Sequence, residues 1–198
     1  MPTRRAVFGC VTGALCTLAG CTTLDGGDGV DTADPATTVD SGSDTRLTSS
    51  AFANGETIPT KHTGDGADVS PPLSLAGVPG AIASLALVVD DPDAPDGTFV
   101  HWLLWGLPPE TREIPEHVPQ ARRVPSLGDA RQGTNGFGEL GYRGPRPPEG
   151  DGPHTYRFTL YALDSTVNVQ AGARRRALSN AMAESVVATA RLTGTYER

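Results

Sequence analysis

Leu85-Ala86-Leu87-Val88-Val89-Asp90-Asp91-Pro92-Asp93-Ala94-Pro95-Asp96-Gly97-Thr98-Phe99-Val100-His101-Trp102-Leu103-Leu104-Trp105-Gly106-Leu107 is the stretch on which the reading of the fold turns. Leu85 to Val89 form a continuous apolar run, the mark of a strand buried on both faces. The run ends in Asp90 to Gly97, where four carboxylates are set among two prolines. Proline fixes φ and has no N–H, so this segment is a loop and not part of a central ladder. A second apolar strand starts with Phe99 to Trp105 and carries His101 near its entrance. Loops held between stiff strands are where binding residues concentrate.

Working outward, Asp90-Asp91-Pro92-Asp93-Ala94-Pro95 followed by His101-Trp102 resembles the DPDxP…H signature of the phosphatidylethanolamine-binding, Raf-kinase-inhibitor-like family, in its bacterial and archaeal branch. Four other segments are similar to that family. Lys61 to Leu73 (KHTGDGADVSPPL) resembles its early loop, with Gly64 where many relatives have Cys. Ala130 to Gly138 (ARQGTNGFG) and Gly141 to Pro148 (GYRGPRPP) resemble two glycine-rich segments. His154 to Asp164 (HTYRFTLYALD) resembles a strand in which Thr155 replaces the family's usual Arg. Arg143 and Arg146 are the candidates to take over the ion pair of that Arg. The resemblance covers roughly Leu47 to Tyr196.

Strand pattern and resemblance together predict a mainly β protein, an antiparallel β-sandwich with Greek-key connections and one C-terminal helix. Tyr156, Phe158, Leu160 and Ala162 share one face of a half-buried strand. Leu178, Ala181, Met182, Ser185 and Val186 fall at helical spacing, which predicts a helix over 174–187, and a closing strand runs over Thr189 to Tyr196. Phe52 to Pro59 reads as short strands around the Asn54-Gly55 turn. Pro108 to Gly152 is long and without periodicity, which points to a functional loop region.

Composition narrows the function. The chain has 198 residues and a formal charge of −7, so a nucleic-acid partner, which requires a basic patch, is not expected. Lys61 is the only lysine against fifteen arginines. We read this acidic, lysine-poor balance as pointing to a halophilic source, with GC-rich codon usage as the alternative. Cys10, Cys16 and Cys21 are the only cysteines. A domain that starts near residue 46 therefore has no disulfide, Cys nucleophile or thiolate metal site.

Those cysteines lie in a targeting segment. Arg4-Arg5 precede an uncharged small and apolar run, and Leu18-Ala19-Gly20-Cys21 resembles a lipobox. Residues 1–21 are thus expected to be a lipoprotein signal peptide, with Cys21 lipidated and the chain anchored to the outer face of the cell membrane. Adjacent arginines also permit twin-arginine export. Residues 22–45, with many Asp, Thr, Gly and Ser, read as a disordered acidic spacer, and 46–198 as the folded domain.

Asp91, Asp93, His101 and His154 form the candidate constellation. A carboxylate orients a neighbouring imidazole and raises its pKa, so that the ring donates to an anion. Both histidines are therefore expected above the free value of about 6.5. The resemblance implies a small pocket at Asp91, Pro95, His101, Gly144, His154 and Tyr156, with Phe99 at its rim, that takes anions and phosphoethanolamine-like groups. Glycine backbone N–H groups are expected to add donors. His62 reads as structural and His117 as exposed. The resulting expectation is a non-enzymatic binder of a small anion or phosphorylated headgroup, without metal or cofactor. Asp-Pro-Asp loops also simply cap turns, which keeps a structural reading open. Two functional alternatives stand beside it: a module that inhibits a protease or another protein, and a hydrolase using the Asp and His pair.

Overall fold

The structure is a computed structural model that describes residues 44–198. The expected signal peptide, Cys21 and residues 22–43 of the expected spacer lie outside the described residues. Nine strands and one helix follow in chain order: β1 Arg46–Thr48, β2 Leu73–Ala76, β3 Ser84–Asp91, β4 Phe99–Leu107, β5 Glu113–Ile114, β6 Arg123–Val124, β7 Ala130–Gln132, β8 His154–Leu163, α1 Arg175–Met182 and β9 Val186–Tyr196.

Two antiparallel sheets result, one of order β1-β2-β5 and one of order β6-β7-β4-β3-β8-β9. The central order β8-β3-β4-β7 is a Greek key: β8 returns from the far edge to lie beside β3. All eight residues of β3 are buried, as its unbroken apolar run predicts. Its alternation feeds two cores. Leu85, Leu87 and Val89 pack with Trp102, Leu104, Phe158 and the small sheet's Leu73, Leu75 and Ile114. Ala86 and Val88 pack on the opposite face with Leu103, Trp105, Leu178 and Met182. Each fully buried Leu or Val side chain contributes about 1.5–3 kcal/mol of transfer free energy. β3, buried between two cores, is therefore specified from both faces.

The C-terminal helix is shorter than its apolar stripe suggests. It ends at Met182, and Val186 belongs to β9, where it pairs with Leu163. Val186-Val187 is β-branched and finds a ladder partner, which outweighs its fit to the helical period. Phe52 to Pro59 does not form strands either. Its turn is present, but the segment straps the outer edge of β9 through one parallel bridge, Thr57 to Thr195. Gly55 N donates to Thr193 O at 2.8 Å and Ile58 N to Thr195 O at 2.8 Å. Asn54 Oδ1 accepts from Thr193 N at 2.9 Å.

Candidate functional site

The site is built where the alternation of β3 runs out. Asp90 continues the face of Val88, and Asp91 continues the face of Val89. Opposite them, β4 carries a bulge: Asp90 pairs with Val100 and Val89 with Trp102, so His101 is the extra residue. A bulge re-aims a side chain, and here it turns His101 toward the Asp91 face. The imidazole meets Tyr156 of β8 edge-on, with centroids 5.2 Å apart. Strand alternation brings His154 to the same face as Tyr156. Phe99 lies 5.3 Å from His101 and 4.8 Å from Phe137, which is 41% exposed and forms the rim.

Hydrogen bonds fix each member. Asp91 Oδ1 accepts from Asp93 N at 2.8 Å, which closes the turn over Pro92. Asp91 Oδ2 lies 2.8 Å from His154 Nδ1. The outer ring nitrogen, Nε2, lies 3.2 Å from Asp151 Oδ2. Asp93 Oδ2 accepts from Thr155 N at 2.8 Å and thereby secures the start of β8. His101 Nδ1 donates to Arg143 O at 2.7 Å, and Arg143 N donates back to His101 O at 3.0 Å. A carbonyl only accepts, so Nδ1 carries the proton and Nε2 of the neutral ring is an acceptor.

The two histidines diverge electrostatically. Burial dominates at His101 and lowers its pKa below 6.5, against the raising influence of the Arg143 carbonyl and the Asp91 charge. This corrects the expectation that both rings sit above the free value. At His154 burial also opposes the charged ring, but the Asp91 and Asp151 hydrogen bonds outweigh it and raise the pKa. The Tyr156 hydroxyl is buried without a hydrogen-bond partner of good geometry. Burial first, then the Asp91 charge and a loose contact of the hydroxyl with the Asp91 carboxylate, push its pKa far up, so it stays a neutral donor.

The structure thus brings Asp91, His101, His154 and Tyr156 together. Pro95 lies exposed in the turn after β3. Gly144 plays a different part from the anion donor expected of it: its N–H donates to Asp68 Oδ1 at 2.6 Å. A Cβ there would collide with the His62 carbonyl, so glycine is required for the close approach of two loops. Arg143 is committed to Asp68 at 2.8 Å and Glu139 at 2.9 Å, and does not replace the Arg lost at Thr155. His62 is buried with Nδ1 2.9 Å from Val69 O, a structural role, and His117 is exposed.

Sequence reasoning missed three groups. Asp68 lies in the family-like loop of Lys61 to Leu73 with no signal of its role, and Asp151 sits in a glycine-rich loop where nothing in the pattern marks it. Asp90 holds Arg157 at 2.7 Å and Arg175 of α1 at 2.6 Å, a contact across 85 positions of sequence. A separate cavity of about 350 Å³, lined by Asp68, Ser70, His117, Gln120 and Arg143 among others, lies outside the constellation. Among the described residues, no group of three or more His, Asp or Glu is placed to hold a metal ion.

Residues 48–197 match the sequence profile of the phosphatidylethanolamine-binding protein. A UPF0098 protein of Pyrococcus horikoshii is 49% identical over 150 residues, covering 76% of this chain and 75% of the relative. The crystal structure of a phosphatidylethanolamine-binding protein homologue from Chlamydia trachomatis is similar at 40% identity and a TM-score of 0.70, covering 78% of this chain and 97% of that one. E. coli YbcL, described as a member of the mammalian PEBP family, gives 32% identity and a TM-score of 0.71 over 78% and 98% of the two chains.

Proposed function

The chain belongs to the phosphatidylethanolamine-binding protein family, and from that premise we propose that it is a non-enzymatic protein that binds a small anion or a phosphorylated headgroup. The observation that carries the reading is the Tyr156 hydroxyl, buried beside the His101 ring with no well-formed hydrogen bond and only a loose contact to the Asp91 carboxylate. A buried polar group without a partner costs about 1–3 kcal/mol, so a ligand that satisfies it recovers that amount. Tyr156 offers a donor and His101 Nε2 an acceptor. A protonated phosphate or phosphomonoester has both complements, a P–O acceptor and a P–OH donor. Affinity therefore weakens as pH rises through the second phosphate pKa of about 6, because the ligand loses the proton that His101 accepts.

The test is calorimetric titration of phosphate and phosphoethanolamine into the wild type, His101→Ala, Tyr156→Phe and His117→Ala. The first two substitutions are expected to weaken binding about tenfold, equivalent to about 1.4 kcal/mol, while the exposed His117 has no effect. Equal binding by all four proteins, or binding that strengthens at high pH, overturns the reading. The domain is further proposed to be tethered outside the cytoplasm through a lipid on Cys21, which the Leu18-Ala19-Gly20-Cys21 sequence supports. Mass spectrometry of the native N-terminus checks this, and an unmodified Met1 start removes it.

A further inference from the structure

We propose that the Asp151 carboxylate is a built-in occupant of the ligand site, seated on the outer nitrogen of His154 and displaced when the anion binds. The inference rests on the binding reading above. His154 is gripped from two sides by unlike partners. The Asp91 side chain belongs to β3 and is 5% exposed, whereas the Asp151 side chain is 46% exposed on the loop before β8. One grip is part of the sheet. The other is a half-exposed contact from a loop.

The loop around Asp151 is lightly held. Gly150 and Gly152 flank it at φ +78° and +90°, a region that side chains other than glycine rarely adopt. A Cβ at either glycine would meet nothing within 4 Å, so the loop is not wedged against the body of the domain. Its backbone bonds are long: Asp151 N to Pro148 O and Gly150 N to Arg198 O are both 3.4 Å.

Charge explains why exchange is favoured over simple addition. An anion that entered with Asp151 still in place would meet Asp91 and Asp151 together, with one imidazolium to balance both. Displacement substitutes one oxyanion for another, and the outer N–H keeps a charged acceptor throughout. The same argument sets selectivity. A phosphate or carboxylate oxygen competes with Asp151 on equal terms, whereas a neutral hydroxyl or amide does not. Asp151 thereby excludes weak acceptors from His154.

The experiment titrates inorganic phosphate into the full chain and its Asp151→Asn and Asp151→Ala variants, with NMR of the backbone amides. Asp151→Asn is expected to bind about three- to fivefold more tightly, the scale of a half-exposed ion pair, and Asp151→Ala at least as tightly. Phosphate should also shift the amides of Gly150 to Gly152 in the wild type. Unchanged or weaker affinity in both variants, with wild-type binding intact, overturns displacement and leaves the binding reading standing. No phosphate binding by any of the three proteins overturns both.

Discussion

Asp90 and Asp91 are adjacent in sequence, both buried, and surrounded by opposite chemistry. Asp90 faces the helix side, where Arg157 and Arg175 each bond one of its oxygens. It ties α1 to the sheet, accepting a charge-assisted hydrogen bond on each oxygen. Asp91 faces the other side, where its partners are one histidine and a turn amide, and the nearby Tyr156 hydroxyl makes no well-formed hydrogen bond. The same residue type at one strand end is thus held by two permanent cations on one face and by a titratable ring and a turn amide on the other. Two guanidiniums mark a structural carboxylate. A titratable ring with a loosely held hydroxyl beside it marks the face available for recognition.

The sharpest way to break this comparison is Asp90→Ala. It strands two guanidiniums at a carboxylate only 4% exposed, so the loss of folding stability should be about 3 kcal/mol in urea titration. Phosphate affinity of the folded protein should not change. A variant that folds normally but fails to bind would mean the two faces are not separate.

Asp91→Asn should reverse the pattern. His154 keeps Asp151 and a neutral amide, so stability should fall by only about 1–2 kcal/mol. Phosphate binding should weaken about tenfold, because the ring that Asp91 holds is no longer held in the same charge state.

Tyr156→Phe should separate the two properties altogether. Removing a buried hydroxyl that has no partner should leave stability unchanged or raise it by up to about 1 kcal/mol, while binding weakens. Thermal melting and calorimetry on the same sample check it. A clear loss of stability would show that the hydroxyl is already satisfied.

The smallest effect is in the titration of the rings. His154 has its folded pKa raised above 6.5, so its stabilising contribution is complete below about 6.5 and is lost as pH rises through the raised value. His101 has its folded pKa lowered, so its contribution is complete above about 6.5 and is lost as pH falls toward the lowered value. NMR should find His154 titrating above His101, and Asp91→Asn should bring the two closer. The reverse order would contradict the assigned environments.

The legible part of the molecule was the part that alternation or unbroken burial controls. The β3 run and the β8 face of Tyr156, Phe158, Leu160 and Ala162 could be read directly, because a period of two has one meaning once a core is assumed. The family motifs carried Asp91, His101 and His154 to one place. The bulge at His101 left no trace, since every neighbour in Phe99 to Trp105 is apolar and alternation has nothing to mark. The arginine partners of Asp90 and the carboxylate on the outer nitrogen of His154 depend on loops and crossings that no local pattern encodes. At Val186 two periodicities overlapped, and pairing with Leu163 decided between them.

The strap over β9 has a consequence for association between molecules. A strand of 11 residues at the end of a sheet is a template for a second chain, because its outer N–H and C=O groups are free to continue the ladder. In the second half of β9, Gly55, Glu56 and Ile58 occupy those groups with backbone bonds, and Asn54 fills one more from its side chain. At the start of β9 a register shift opposite Ala162/Leu163 bulges the strand and leaves Val187 36% exposed. A second chain could continue the ladder over the second half of β9 only by first displacing the strap.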